Sequence, residues 1–265
     1  MSEPASDDYT PLDRPEILRG LFHPRPELPS TDGGAGEDLL IPVADGAAVG
    51  ARFHPADVHS PTLLFFHGNG EIVADYDDLA RVYTRVGINF LPVDYRGYGR
   101  STGEPSVSGM MADCHVIFDF VRPWLKEHGC SGPLMVMGRS LGSASALEIA
   151  YQYHDAIDAL IVESGFASII PLLERLGLDP DAVHFKEEKG RSNLYKIAHV
   201  NKPTLIIHAK EDEIIPFSNG EALFDASPSP DKHFLEIPGA GHNDIFMRGL
   251  SEYMAAVSTL AHKLI

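Results

Sequence analysis

The sequence predicts an α/β fold, with a mostly parallel sheet and helices on both faces. From Thr62 onward, short apolar runs typical of buried strands alternate with segments of helical periodicity, as expected for parallel strands joined by helices. Ahead of them, Asp38–Val43 and Ala47–His54 are joined at Asp45-Gly46, a hairpin signal that predicts an antiparallel strand pair. With 265 residues and 44% hydrophobic content, the chain is long enough to bury one large core.

The chain is expected to divide into an extension and one domain. Residues 1–36 are rich in Pro, Asp and Gly, and within them only Ile17–Phe22 is expected to pack, as a short amphipathic turn or helix. Residues 37–265 are expected to form a single domain. Inside it, residues 163–203 lie between two predicted strands and are expected to form a small lid or flap.

This flap is expected to be too short for a cap with its own core. It contains a helical segment, Pro171–Leu178, and a charged piece, His184–Arg191. Four of its apolar residues are candidates for the wall of a substrate pocket, and they could equally seal the core: Phe166, Leu172, Leu173 and Phe185.

A sharp strand-to-helix turn is predicted at Gly138–Gly142. The apolar run Leu134–Met137 predicts a strand, and G-x-S-x-G follows it. In that pattern the serine, here Ser140, sits on a strained turn that exposes its hydroxyl, and the flanking glycines leave room for the backbone. The alternative is a serine that only caps a helix. Ser143 and Ser145 lie beyond the turn, on the helix, and are not expected to be exposed at the strand tip.

A histidine and an acid follow this serine in the order that such a site uses. A serine nucleophile needs an imidazole to take its proton and a carboxylate to orient the imidazole. The predicted strand Pro203–Ile207 is followed by a polar turn with Asp212, and the predicted strand His233–Pro238 by a glycine-rich turn with His242. The order Ser140, Asp212, His242 is nucleophile, acid, base, with each residue past a strand's carboxyl end, where α/β sheets place their chemistry.

Other residues compete for these roles. Glu163 also follows an apolar run and is an alternative acid, but the Ile-Ile-Pro sequence after Asp212 fits the usual turn and favours Asp212. His67 and His208 lie near predicted strand ends, where packed, hydrogen-bonded roles are expected for them. Asp244 is expected to orient the loop that carries His242.

Four motifs carry a resemblance to a known family. They are Phe66–Gly70 (FHGNG), Asp94–Ser101 (DYRGYGRS), Gly138–Gly142 (GRSLG) and Gly241–Asp244 (GHND). With them, the chain from about residue 38 onward resembles the α/β-hydrolase superfamily. The resemblance implies a mostly parallel, eight-stranded sheet with an antiparallel N-terminal strand pair and a small lid.

Within that superfamily, the chain is similar to a branch of compact intracellular serine hydrolases with little lid. The branch includes membrane-attached lipid thioesterases and esterases. Its thioesterases carry an N-terminal cysteine cluster for lipid attachment, whereas residues 1–36 here contain no cysteine. The membrane role is therefore not expected.

The resemblance also implies an oxyanion hole. In this fold it is built from the backbone N–H of the residue after the nucleophile and from one N–H in the turn after an earlier strand. By position, these are Leu141 and Asn69, since the apolar run Thr62–Phe66 leads into His67-Gly68-Asn69-Gly70. A plain glycine-rich loop is the alternative.

No cofactor and no metal are expected. Gly97-Tyr98-Gly99 follows a strand-like run, but Thr102 stands where a dinucleotide fingerprint needs its third glycine, so a packing turn is favoured. Cys114 and Cys130 form neither a metal-binding spacing nor a disulfide framework. The 13 histidines show no paired-ligand pattern.

Charge and hydropathy limit the partners. The 21 basic and 38 acidic residues give a net charge of −17, which repels nucleic acid and anionic membranes. No run approaches the roughly 18 apolar residues of a membrane span. Met1–Asp8 lacks the layout of a signal peptide, so a cytoplasmic location is expected.

These observations predict a serine hydrolase that cleaves a carboxylic ester or thioester through an acyl-enzyme. A small-molecule ester with a short or medium acyl group is the expected substrate, because the flap is small. The alternatives are a non-catalytic ligand-binding protein on the same fold and a peptidase that uses the same three residues. The pattern leaves the oligomeric state open.

Overall fold

The computed structural model describes residues 8–28, 36–175, 177–179, 185, 187 and 191–265. Their strands form one sheet in the order β1-β2-β4-β3-β5-β6-β7-β8. The strands are β1 Glu37–Pro42, β2 Ala48–Phe53, β3 Thr62–Phe66, β4 Asn89–Val93, β5 Leu134–Arg139, β6 Ala159–Glu163, β7 Thr204–Ala209 and β8 Lys232–Ile237. β1 and β2 are antiparallel, β2 is antiparallel to β4, and β3 to β8 are parallel. The predicted fold class is confirmed.

Helices cover both faces of the sheet. They are α1 Pro15–Leu21, α2 Asp77–Arg85, α3 Val107–Glu127, α4 Ser143–Gln152, α5 Ile170–Arg175, α6 Asn193–Ile197, α7 Ser218–Ala226 and α8 Ile245–Lys263. Successive strand side chains point to opposite faces, so Leu64 and Phe66 pack toward α3 and α4, whereas Leu63 and Phe65 pack toward α2 and α8. Because both faces are covered, the central strands are apolar throughout.

The N-terminal segment packs against the domain. Its helix α1 forms where a turn or helix was predicted, and Ile17 is fully buried. Tyr9 and Leu12 are buried as well, although they precede the part expected to pack. Further along, the His23 N–H donates to Asn69 Oδ1 at 2.8 Å. The segment therefore joins the loop that follows β3.

In the described part of the stretch between β6 and β7 lie two short helices, α5 and α6. Helix α5 ends at Arg175, earlier than the predicted Leu178, and Gly177 adopts a positive φ of 75°. Most of the predicted charged piece, residues 184–191, lies outside the described residues. Among the residues that are described, no helix is long and apolar enough to span a membrane.

Candidate active site

The turn between β5 and α4 has the strained geometry that its sequence predicts. Ser140 adopts a left-handed backbone conformation, with φ of 50°. A Cβ at Gly142 would lie 2.1 Å from the Phe66 carbonyl oxygen, and one at Gly138 would lie 2.2 Å from the Gly142 oxygen. Both positions therefore require glycine. The turn is further held by the Ser143 hydroxyl, which donates to the Ser140 carbonyl at 2.6 Å.

A chain of hydrogen bonds joins the three predicted catalytic residues. Ser140 Oγ lies 2.9 Å from His242 Nε2, and His242 Nδ1 lies 2.8 Å from Asp212 Oδ2. Their loops follow β5, β8 and β7 respectively. All three residues are buried, so these contacts are shielded from competing water.

The surroundings of Asp212 keep its carboxylate charged. Burial raises its pKa, but the hydrogen bond to His242 and the N–H of Ile215 outweigh that effect and hold the pKa below its ordinary value. Oδ1 accepts from the N–H groups of Ile214 and Ile215 at 3.0 and 2.7 Å. A carboxylate on Nδ1 selects the tautomer whose Nε2 accepts a proton. His242 can thus accept from the Ser140 hydroxyl.

Glu163, the alternative acid, bonds to residues other than the serine and the histidine. It is fully buried, lies 3.0 Å from Arg139 Nε and accepts from the Tyr253 hydroxyl at 2.7 Å. Burial raises its pKa above the ordinary value. Its hydrogen bonds reach neither Ser140 nor His242.

The other histidines near the strand ends have packing roles. His67 Nε2 lies 3.1 Å from Asp94 Oδ1, and its ring meets Tyr95 edge to face. His208 Nε2 lies 2.9 Å from the Ile215 carbonyl oxygen. Burial lowers the pKa of His208 and so keeps it neutral.

Asp244 braces the loop of His242, as predicted. It accepts from the Gly241 N–H at 2.6 Å and pairs with Arg248 Nε at 2.9 Å. These contacts fix the turn just before the histidine.

The two candidate oxyanion donors lie beside the serine. Asn69 and Leu141 line the same cavity as Ser140. The Asn69 side chain is held by the Tyr98 hydroxyl and the His23 N–H, each at 2.8 Å from Oδ1. Within the described residues, nothing accepts a hydrogen bond from the Asn69 N–H.

Sequence analysis assigned no role to Arg139, the residue before the serine. Its buried guanidinium is ion-paired with Glu163 and Glu71. It also donates to the His242 carbonyl at 2.9 Å and to Asn243 Oδ1 at 3.1 Å. One side chain thus ties the elbow to the histidine loop. The signal was a charged residue inside an apolar strand, which needs buried partners.

Glu71 extends this network to the loop after β3. Its Oε2 accepts from the Gly68 N–H at 2.7 Å and from the Tyr76 hydroxyl at 2.6 Å. Arg139 and Glu71 together connect the loops that carry Asn69, Ser140 and His242.

A cavity of about 330 Å³ opens beside Ser140, at the small end of the usual range for ligand pockets. Three of the four predicted wall residues line it, namely Phe166, Leu172 and Phe185. Leu173 does not, since it is fully buried in the core. The N-terminal segment supplies a wall that sequence analysis missed: Tyr9, Leu12, Gly20 and Leu21.

The part of the chain that is described contains no group of three or more His, Cys, Asp or Glu side chains able to hold a metal ion. Cys114 is buried, and burial raises the pKa of its thiol well above the ordinary value. It therefore lacks the thiolate character of a reactive cysteine.

Known proteins resemble this chain in sequence. The family model described as serine aminopeptidase, S33, matches residues 58–183. An uncharacterized protein of Mycobacterium tuberculosis is 31% identical over 223 residues, which cover 79% of this chain and 73% of that protein. Alpha/beta hydrolase domain-containing protein 17B of Xenopus laevis is 34% identical over 195 residues, which cover 71% of this chain and 62% of that protein.

Solved structures share the fold. An esterase of Pyrococcus furiosus, Pf2001, superposes with a TM-score of 0.73 at 15% identity, covering 91% of this chain and 98% of that chain. At such identity the likeness concerns the fold alone. The sequence matches show that the chain belongs to the α/β-hydrolase superfamily.

Proposed function

We propose that this protein is a serine hydrolase that cleaves small carboxylic esters or thioesters, with Ser140 as nucleophile, His242 as base and Asp212 as the orienting acid. The observation that carries the proposal is the hydrogen-bond chain from the Ser140 hydroxyl through the imidazole to Asp212. This is the arrangement that activates a serine.

Acylation begins when Ser140 Oγ attacks the substrate carbonyl and His242 Nε2 takes the hydroxyl proton. Asp212, kept ionised by its hydrogen bonds, stabilises the resulting imidazolium. The N–H groups of Asn69 and Leu141 bind the developing oxyanion; the loss of one such donor typically costs about 10²–10³ in rate. His242 then protonates the leaving alcohol or thiol as the C–O or C–S bond breaks.

Water completes the reaction by the same path in reverse. His242 takes a proton from water, whose oxygen attacks the acyl carbonyl, and then returns the proton to Ser140 Oγ as the acid departs. No metal or cofactor is needed for either half of this cycle.

The apolar lining of the cavity favours esters over peptides as the proposed substrates. Most of the residues that line it are apolar, which suits an acyl chain more than a charged amino terminus. The fold of the Pyrococcus furiosus esterase supports the same choice. Peptide hydrolysis is the second candidate, favoured by the description of the family model.

Covalent labelling by a fluorophosphonate tests the proposal. We expect wild type to be labelled and Ser140→Ala to be unlabelled, with hydrolysis of p-nitrophenyl butyrate reduced by at least about 10³. Ser145→Ala is the matched control, because its Oγ is buried on α4 and forms no hydrogen bond with any described residue. Full labelling of Ser140→Ala would move the nucleophile elsewhere. Absence of labelling in wild type would favour a binding protein.

A further inference from the structure

The cavity beside Ser140 reaches a buried charged group. Lys196, on α6, lines the cavity yet is only 1% exposed. Its ammonium lies 2.7 Å from Glu148 Oε2 and donates to the Tyr9 hydroxyl at 3.0 Å. A charged side chain is therefore part of a wall that is otherwise mostly apolar.

The ammonium contacts α4 beyond the serine turn. Ala144, in the first turn of α4, lines the cavity, and Glu148 follows one turn further along the same helix. Since α4 begins at Ser143 and a helix rises about 1.5 Å per residue, Glu148 lies about 7.5 Å along it. A substrate that enters at Ser140 can thus extend toward Lys196.

The Lys196 charge is matched by Glu148, and the pair stays ionised. Burial lowers the pKa of Lys196, but Glu148 outweighs that effect and raises it. The pKa of Glu148 falls to about 2, although burial opposes the shift, because His115 and Lys196 both contact it. This part of the cavity wall is accordingly polar without a net positive charge from the pair.

Among the described residues, Lys196 is short of an acceptor. An ammonium has three N–H groups; the Tyr9 hydroxyl accepts from one, and Glu148 Oε2 forms an ion pair with the ammonium at 2.7 Å. No other described residue accepts from it. A hydrocarbon tail packed here would strand this donor away from water, which is costly, whereas an oxygen atom would satisfy it.

From this arrangement, and resting on the proposed function, we propose that the cavity takes medium-length acyl groups whose chain carries a neutral oxygen function, hydroxyl or keto, at the point where it reaches Lys196. That oxygen accepts a hydrogen bond from Lys196. A carboxylate is disfavoured because Glu148 already neutralises the ammonium. Sites built to bond a substrate hydroxyl reject analogues that lack it far more strongly than apolar pockets reject a missing methylene.

The cavity volume limits the length of the acyl group. The volume of about 330 Å³ equals about eleven water-sized groups. An acyl group of about eight carbons fits within it.

The test compares p-nitrophenyl octanoate with p-nitrophenyl 8-hydroxyoctanoate. We expect wild type to prefer the hydroxy ester by at least about tenfold in kcat/KM, as for a hydrogen bond to a charged donor. In Lys196→Met the preference should vanish. That variant removes the ammonium that neutralises the buried Glu148. Lys196→Met combined with Glu148→Gln therefore removes both charges, and the preference should vanish in it as well. The exposed Lys126→Met is the matched control and should keep the preference.

A binding measurement separates this inference from the proposed function. Ser140→Ala should be stabilised against heat more by methyl 8-hydroxyoctanoate than by methyl octanoate, since tighter ligands raise the melting temperature more. Suppose that both esters are cleaved by Ser140. If kcat/KM for the hydroxy ester is then no higher than that for the octanoate, or if their ratio is unchanged by loss of Lys196, the inference is overturned and the proposed function stands. Failure of any ester to be cleaved, with Ser140 unlabelled, overturns both.

Discussion

Replacement of Arg139 by lysine is predicted to slow catalysis more than it weakens binding. The guanidinium pairs with Glu71 and Glu163 and also donates to the His242 carbonyl and Asn243 Oδ1. Lysine keeps the charge but lacks the planar fork, so it cannot reach all four partners. The carboxylates retain a counterion, and the bonds to the histidine loop are the ones lost.

The expected magnitude follows from those lost bonds. A hydrogen bond from a charged donor contributes about 1.5–3 kcal/mol, and two of them hold the loop of His242. A displacement of about 1 Å at a reacting group costs about 10²-fold in rate. We therefore expect kcat to fall about 10- to 100-fold in Arg139→Lys, with KM changed by less than about threefold.

Steady-state kinetics with p-nitrophenyl butyrate, normalised to the sites that a fluorophosphonate titrates, measure this effect. Urea unfolding of the same samples measures stability separately. The exposed Arg122→Lys on α3 is the control. If Arg139→Lys loses stability while kcat per active site stays within about twofold of wild type, Arg139 has a structural role only and the reasoning fails.

Three further predictions concern single side chains. Asp212→Asn should lower kcat about 10⁴-fold, because the amide stabilises the wrong imidazole tautomer. Steady-state kinetics measure this, with circular dichroism to check that the variant is folded. A decrease of less than about tenfold would contradict the role of Asp212 as the orienting acid. Because the pKa of Glu148 is lower in the folded protein, its ionised form stabilises the fold at pH values above its ordinary pKa of about 4.5, and this stabilisation is lost as the pH falls toward about 2. Urea unfolding across that range should show that the free energy of unfolding falls by about 3 kcal/mol in wild type and that this fall is missing in Glu148→Gln. Gly142→Ala should yield little folded protein, because its Cβ would lie 2.1 Å from the Phe66 carbonyl oxygen; soluble expression measures it, and a normal yield would contradict the steric argument.

Strand positions were predictable, and their ends were less so. β5 was predicted over Leu134–Met137 but extends to Arg139. The prediction stopped early because a glycine followed by an arginine resembles a turn in the local sequence. The arginine stays in the strand because two carboxylates neutralise it in the interior. β7 likewise extends beyond Ile207 through His208, which is tolerated there because the Ile215 carbonyl accepts from its ring.

Within the site, the choice of the acid is an example of what local sequence cannot predict. Both Asp212 and Glu163 follow apolar strands in the sequence. Only the folded chain shows that the Glu163 carboxylate is hydrogen-bonded to Arg139 and Tyr253, whereas Asp212 Oδ2 lies 2.8 Å from His242 Nδ1. That difference depends on residues far apart in the chain.

The sequence by itself determined the fold class, the elbow and the order of the three candidate residues. These follow from local constraints: buried strands must be apolar, and only glycine fits two residues before and after Ser140. The tertiary structure alone decided what surrounds them. The N-terminal wall and the contact of Tyr9 with Lys196 and Glu148 unite three separate segments, and residues that meet only through folding leave no spacing or periodicity in the chain to be detected.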